Sequence, residues 1–262
     1  MTTSRPSLWT GTGLTNQGRV RSANQDAYGV LNERSFWLVA DGMGGRVGGE
    51  VASRIAVESV VKSLIGEAPG QTACAKDAET MSQLLRDAVQ KANRGIRAEA
   101  VRRPQLLGMG TTLVVLAIVP EPRATAVIAN IGDSRAYLLR NGTLMPLTKD
   151  HSVVEESIRT GLLSEAEASV HPLRHVLTRA LGTELEVEPD ITVWPLDSDD
   201  VLLLCTDGLT KMVRDSRIRE ILAAYRQTPV EACEMLIDAA NEAGGDDNVT
   251  VVMVRNDLTK SP

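Results

Sequence analysis

The length of its aliphatic runs constrains this chain more than any other feature. The longest uninterrupted run, Leu113 to Val119, is far below the roughly 20 residues a membrane-spanning helix needs, and it is flanked by shorter runs of the same kind. Runs of this length are strand-sized, so several short strands buried together are expected and no transmembrane helix is. With 262 residues, 43% hydrophobic and 24% charged, it carries enough apolar surface for a substantial core, and a single domain spanning 1–262 is expected. The opening Met1-Thr2-Thr3-Ser4-Arg5-Pro6 carries no apolar leader, and a cytoplasmic location is the expectation.

Strand patterns are predicted over residues 8–13 and 26–40, the latter closing on Phe36-Trp37-Leu38-Val39-Ala40. From Glu50 the period changes. Val57, Val60, Val61 and Leu64 recur at three- and four-residue steps, as do Met81, Leu84, Leu85, Ala88 and Ala92, which predicts two amphipathic helices parted at Gly66-Glu67-Ala68-Pro69-Gly70. Strands return at 111–119, 124–131 and 134–140, with a hairpin signal at Asn141-Gly142. Residues 148–182 show little periodicity and are read as a flap-like insertion. Strands at 191–194 and 201–205, a helix carrying Val230, Cys233, Leu236, Ile237 and Ala240, and a last strand at 249–254 complete the order. Successive strands interrupted by helices predict an α+β fold, with helices layered outside mainly antiparallel sheets; the hairpin disfavours a doubly wound parallel sheet.

Composition excludes several functions. Cys74, Cys205 and Cys233 cannot all pair and contain no Cys-x-x-Cys spacing, so neither a disulfide scaffold nor a zinc site is expected. A thiol phosphatase needs arginine six positions after its cysteine, but Thr80, Lys211 and Ala239 stand there. A net charge of −6 argues against a nucleic-acid-coating surface. Carboxylates recur at strand ends instead: Asp41-Gly42 and Asp207-Gly208 each close an apolar run, Asp247 precedes the last strand, and Asp26 opens an early one. Either Asp-Gly pair alone reads as a turn, because Asp-Gly is a common turn dipeptide. Packed together, such acids would repel unless they held a hard cation, for which oxygen ligands favour magnesium or manganese over zinc. Asp246, Asp199 and Asp200 are read as independent, solvent-facing turn residues. The pattern suggests metal-assisted hydrolysis of a phosphoester.

In order and over nearly the whole chain, the motifs resemble the bacterial metal-dependent Ser/Thr protein phosphatases of type 2C. The resemblance rests on Arg21-Ser22-Ala23-Asn24-Gln25-Asp26, Asp41-Gly42-Met43-Gly44-Gly45 continuing to Gly49-Glu50-Val51-Ala52-Ser53, and Gly110-Thr111-Thr112. It extends through Gly132-Asp133-Ser134-Arg135, Thr148-Lys149-Asp150-His151-Ser152, Leu177 to Gly182, Thr206-Asp207-Gly208 and Asp247-Asn248. It implies a four-layer α-β-β-α sandwich with two Mn2+ or Mg2+ ions at one sheet edge. Asp41, Asp207, Asp247 and the Gly42 carbonyl would ligate them, and Asp26 would act on coordinated water. Asp133 with Asp207 would hold a third, weaker ion. A metal-bridging hydroxide would attack phosphorus in line, with Arg21 gripping the phosphoryl oxygens. Substrates would be phosphoserine and phosphothreonine proteins made by bacterial Ser/Thr kinases, and the enzyme would act as a monomer, without membrane or nucleic acid.

One position departs from that pattern. Many relatives place a histidine, a proposed general acid, five residues after the first metal aspartate, where this chain has Arg46. A guanidinium is a poor proton donor, so Arg46 is assigned to substrate phosphate and the leaving group's proton to a metal-bound water. His151, His171 and His175 are read as structural. Arg46 also keeps open an alternative, a catalytically weak phosphoprotein-binding module of the same fold; a plain α+β domain with unrelated turn aspartates is a third reading.

Overall fold

A computed structural model describes residues 9–65, 75, 77–120 and 122–257, with the side chains of residues 45–47 and 169 left undescribed. The expected break at Gly66–Gly70, Cys74 and the side chain of Arg46 therefore lie outside the described residues.

Among the described residues, eleven strands form two sheets in which every pairing is antiparallel. One contains β1 (Trp9–Asn16), β11 (Val249–Asn256), β10 (Val201–Cys205), β7 (Arg135–Arg140) and β8 (Thr143–Pro146), in that order. The other runs β2 (Asp26–Leu31), β3 (Phe36–Met43), β5 (Leu113–Val119), β6 (Thr125–Ile131) and β9 (Asp190–Pro195), with β4 (Gly110–Thr111) extending β3. At the hairpin between β7 and β8, Asn141 and Gly142 take positive φ of 51° and 77°, which only a primed turn requires.

Helices cover both outer faces. On the second sheet lie α1 (Gly45–Ile65) and α2 (Ala78–Arg102); on the first lie α6 (Asp215–Ala224) and α7 (Pro229–Glu242). The short α3 (Val153–Arg159) and α4 (Glu165–Ser169) fall in the 148–182 segment, and α5 (Asp207–Thr210) follows β10 directly. Strand residues alternate between cores: Phe36, Leu38 and Ala40 face α1 and α2, while Trp37 and Val39 pack between the sheets. Likewise Leu203 and Cys205 face the α6–α7 layer while Leu202 and Leu204 join the central core. The four-layer sandwich thus explains why strands in antiparallel sheets read as unbroken apolar runs: both of their faces are buried.

Three expectations are corrected. The first helix begins at Gly45, inside the glycine-rich loop, rather than at Glu50. Helix α6, with Ile218, Ile221 and Leu222 buried at helical spacing, was not anticipated. Asp200 does cap a turn, accepting from the Asp197 N–H at 2.8 Å, but it is 1% exposed and paired with Arg140 rather than open to solvent. Asp246 and Asp199 are exposed as expected. Among the described residues Cys205 and Cys233 are buried free thiols, and no helix is long and apolar enough to cross a membrane.

Candidate metal centre

The acidic residues singled out from the sequence meet at one edge of the paired sheets. Asp26 and Asp41 lie opposite each other in the β2–β3 register. Asp26 Oδ2 crosses to the other sheet, accepting from Thr206 Oγ1 at 2.9 Å and Thr250 Oγ1 at 2.6 Å. Thr206 is the residue before Asp207, so these hydrogen bonds bring the ends of β2, β3, β10 and β11 together. Asp41 is fixed by its backbone: its N–H donates to Thr112 Oγ1 at 2.9 Å, and its carbonyl accepts from the Thr112 N–H. Thr112 Oγ1 lies 2.7 Å from Ser134 Oγ, next to Asp133.

The two Asp-Gly corners are not the turns their sequence suggests, since neither Gly42 nor Gly208 has a positive φ. Close approach requires them instead. A Cβ on Gly42 would lie 2.1 Å from the Gly49 carbonyl oxygen, and one on Gly208 would lie 1.9 Å from that of Asn248. The first contact lets α1 start against the end of β3; the second sets Asp207, first residue of α5, against the Asp247-Asn248 corner. The Asn248 side chain accepts from the Gln25 N–H at 2.8 Å and donates to the Gln17 and Ala23 carbonyls, so it ties down the loop carrying Arg21.

Electrostatics follow from this crowding. Burial pushes the Asp26 carboxyl up to about 7; the two threonine hydrogen bonds oppose the shift, and Asp207 and Asp247 add to it. Asp41 rises well above the usual carboxylate range through desolvation and then through Asp26, Asp207, Asp133 and Asp247. Burial, then Asp207, pushes Asp133 up to about 7, with Lys211 pulling against them. Five carboxylates thus share one field. Two are matched by cationic side chains: Lys211 Nζ pairs with Asp207 Oδ2, and Arg21 Nη2 sits 2.7 Å from Asp247 Oδ2. With these two drawn to their partners, no trio of acidic side chains among the described residues closes around a single point. Asp26 Oδ1 and Asp207 Oδ1 are nonetheless buried without a hydrogen-bond partner. Orphaned carboxylate oxygens in an all-oxygen cluster suit a hard divalent cation.

Other quoted motifs serve as anchors. Arg135 makes a two-pronged ion pair with Asp150, Nε to Oδ1 at 2.8 Å and Nη2 to Oδ2 at 2.7 Å. His151 Nδ1 accepts from the Gly132 N–H at 3.2 Å, and the His151 carbonyl accepts from the Thr178 N–H at 2.8 Å. Leu181 bridges to Thr111 in β4. These contacts fasten the 148–182 segment beside the acidic edge. Sequence reading quoted Thr206 only as part of a motif, without its bond to Asp26, and missed Thr250 and Lys211; the signal available was a polar residue flanking or opening each apolar run for the threonines and helical spacing from Asp207 for Lys211.

An edge of clustered aspartates on a four-layer α-β-β-α sandwich is a site suited to hydrolytic chemistry, and the comparisons name the family. The Protein phosphatase 2C family model matches residues 15–240. Serine/threonine phosphatase stp of Listeria monocytogenes is 43% identical over 250 residues, covering 94% of this chain and 95% of that protein. The crystal structure of the Mycobacterium tuberculosis serine/threonine phosphatase PstP/Ppp superposes with a TM-score of 0.82 at 35% identity, covering 94% of this chain and 98% of that one. The catalytic domain of serine threonine protein phosphatase PstP in complex with 2 manganese ions gives 0.79 at 34% identity, covering 94% and 97%. The chain belongs to the protein phosphatase 2C family.

Proposed function

We propose that this protein-serine/threonine phosphatase hydrolyses phosphoserine and phosphothreonine esters by direct in-line transfer of the phosphoryl group to water at its acidic edge. The observation that carries the reading is the gathering of Asp26, Asp41, Asp133, Asp207 and Asp247 in one field, with Asp26 Oδ1 and Asp207 Oδ1 left unpartnered. Asp41, Asp207, Asp247 and the Gly42 carbonyl would hold two Mn2+ or Mg2+ ions; when bound, such ions neutralise the phosphoryl charge and ionise water near neutral pH.

The chain's own groups do the rest. Asp26 offers Oδ1 to a proton of the attacking water, while Thr206 and Thr250 hold its other oxygen and fix the carboxyl plane. Arg21 stands at the mouth with its guanidinium half exposed and exchanges Asp247 for two phosphoryl oxygens as substrate enters. Arg46 stays charged at any working pH, so it serves the phosphate, and solvent supplies the proton taken by the departing serine or threonine oxygen. With water as the nucleophile no covalent phosphoenzyme is required, and burial pushes the Cys205 thiol up to about 12 and the Cys233 thiol up to about 11, which makes both poor nucleophiles. The 148–182 segment acts as the flap of a single-domain, monomeric enzyme working in the cytoplasm against the products of Ser/Thr kinases.

Phosphate release from a phosphothreonine peptide tests the reading. Release should depend on manganese, cease with chelator and fall at least about a hundredfold in Asp207→Asn. A binding module would retain the peptide and release nothing, and chelator-resistant turnover would contradict the metal assignment.

A further inference from the structure

Among the described residues, Lys211 is the cationic side chain set within the acidic cluster that the mechanism above does not use. It lies four residues after Asp207, and its N–H donates to the Asp207 carbonyl at 2.8 Å, closing the turn of α5. That helical step, rather than a long reach from elsewhere, places Nζ on Asp207 Oδ2. The lysine is mostly buried, with 29% of its side chain exposed, and Asp133 and Asp41 are the next carboxylates in its field. Asp133 is itself 8% exposed, and its charge is opposed by Asp207 and Asp150 and favoured by Lys211.

We propose that the Lys211 ammonium is the resident cation of the Asp133–Asp207 face, so that this chain takes up two divalent ions and keeps the third position for its own side chain. The proposal rests on the metal reading above and goes beyond it. A divalent ion on that face would have to approach an ammonium already seated on the shared carboxylate, and like charges at contact distance in a partly desolvated site repel strongly. The two core positions draw instead on Asp41, on Asp247 once Arg21 has left it for phosphate, and on the Oδ1 of Asp207, which carries no hydrogen bond while Lys211 holds Oδ2.

Counting bound Mn2+ by equilibrium dialysis and metal analysis tests this in the wild type, Lys211→Met, Lys211→Arg and the double variant Lys211→Met/Asp133→Asn, each checked for folding by circular dichroism. The wild type and Lys211→Arg should saturate at two ions, Lys211→Met should gain a third, and the double variant should return to two. If Lys211→Met fails to fold, Lys211→Gln carries the same expectation. A wild-type chain that binds three ions, or a neutral variant that binds no more than wild type, overturns the proposal while leaving the two-ion centre standing. A wild type that binds none overturns the metal reading and this proposal together.

Discussion

At the scale of single residues, the site depends on where backbone is allowed to touch backbone. Gly208→Ala would force a Cβ into the Asn248 carbonyl, 1.9 Å away, and prise Asp207 from the Asp247 corner. Overpacking of this kind costs about 3 kcal/mol, so the variant should melt lower in denaturant titrations and bind manganese more weakly even where it remains folded. Arg46 gives a kinetic prediction. Arg46→Ala should raise KM more than it lowers kcat on a phosphopeptide, as expected when ground-state binding is lost; unchanged kinetics would remove Arg46 from the site.

At the scale of elements, the 148–182 segment is fastened mainly by polar contacts. Asp150→Ala would leave the Arg135 guanidinium, two-thirds buried, without its partner, and breaking a buried pair from one side costs about 3 kcal/mol. Urea unfolding should report that loss, and limited proteolysis should cut first between 153 and 176. Much at this scale was legible in the sequence. Strands such as Leu113–Val119 announced themselves because both faces are buried, and α2 because one face is not. Helix α6 carried the same periodic signal at Ile218, Ile221 and Leu222 but over only ten residues, too short for the period to stand out. The start of α1 was hidden for a physical reason: glycine at 45, 48 and 49 disfavours helix locally, and at 49 it is required because the backbone of α1 touches Gly42 at the end of β3. The acids themselves were visible as residues, but their meeting was not. It depends on Thr206 and Thr250 reaching Asp26 across some 180 and 224 positions of sequence, which no local pattern encodes.

For the whole molecule, the acidic edge makes stability depend on protons and metal together. Asp26 and Asp133 titrate near 7 in the folded chain against an ordinary 3.8, and Asp41 is raised as well. Above pH 4 the unfolded chain releases protons that the folded chain retains, so this contribution is complete at low pH and is lost as pH rises through about 7. The melting temperature of chelated protein should therefore fall between about pH 5 and pH 8. Manganese should raise stability most at the upper end, by about 2.7 kcal/mol per ion at a hundredfold excess over Kd; a melting temperature that climbs across that window without metal would contradict the assignment.

The central claim is that Asp41, Asp207 and Asp247 share divalent ions. Anomalous diffraction at the manganese edge, on crystals grown with Mn2+, examines it most directly. The account predicts two strong peaks within bonding distance of those three carboxylates and none in Asp207→Asn crystals at the position Asp207 shares. Crystals with no anomalous peak at this edge, or with manganese bound only elsewhere on the chain, would contradict it.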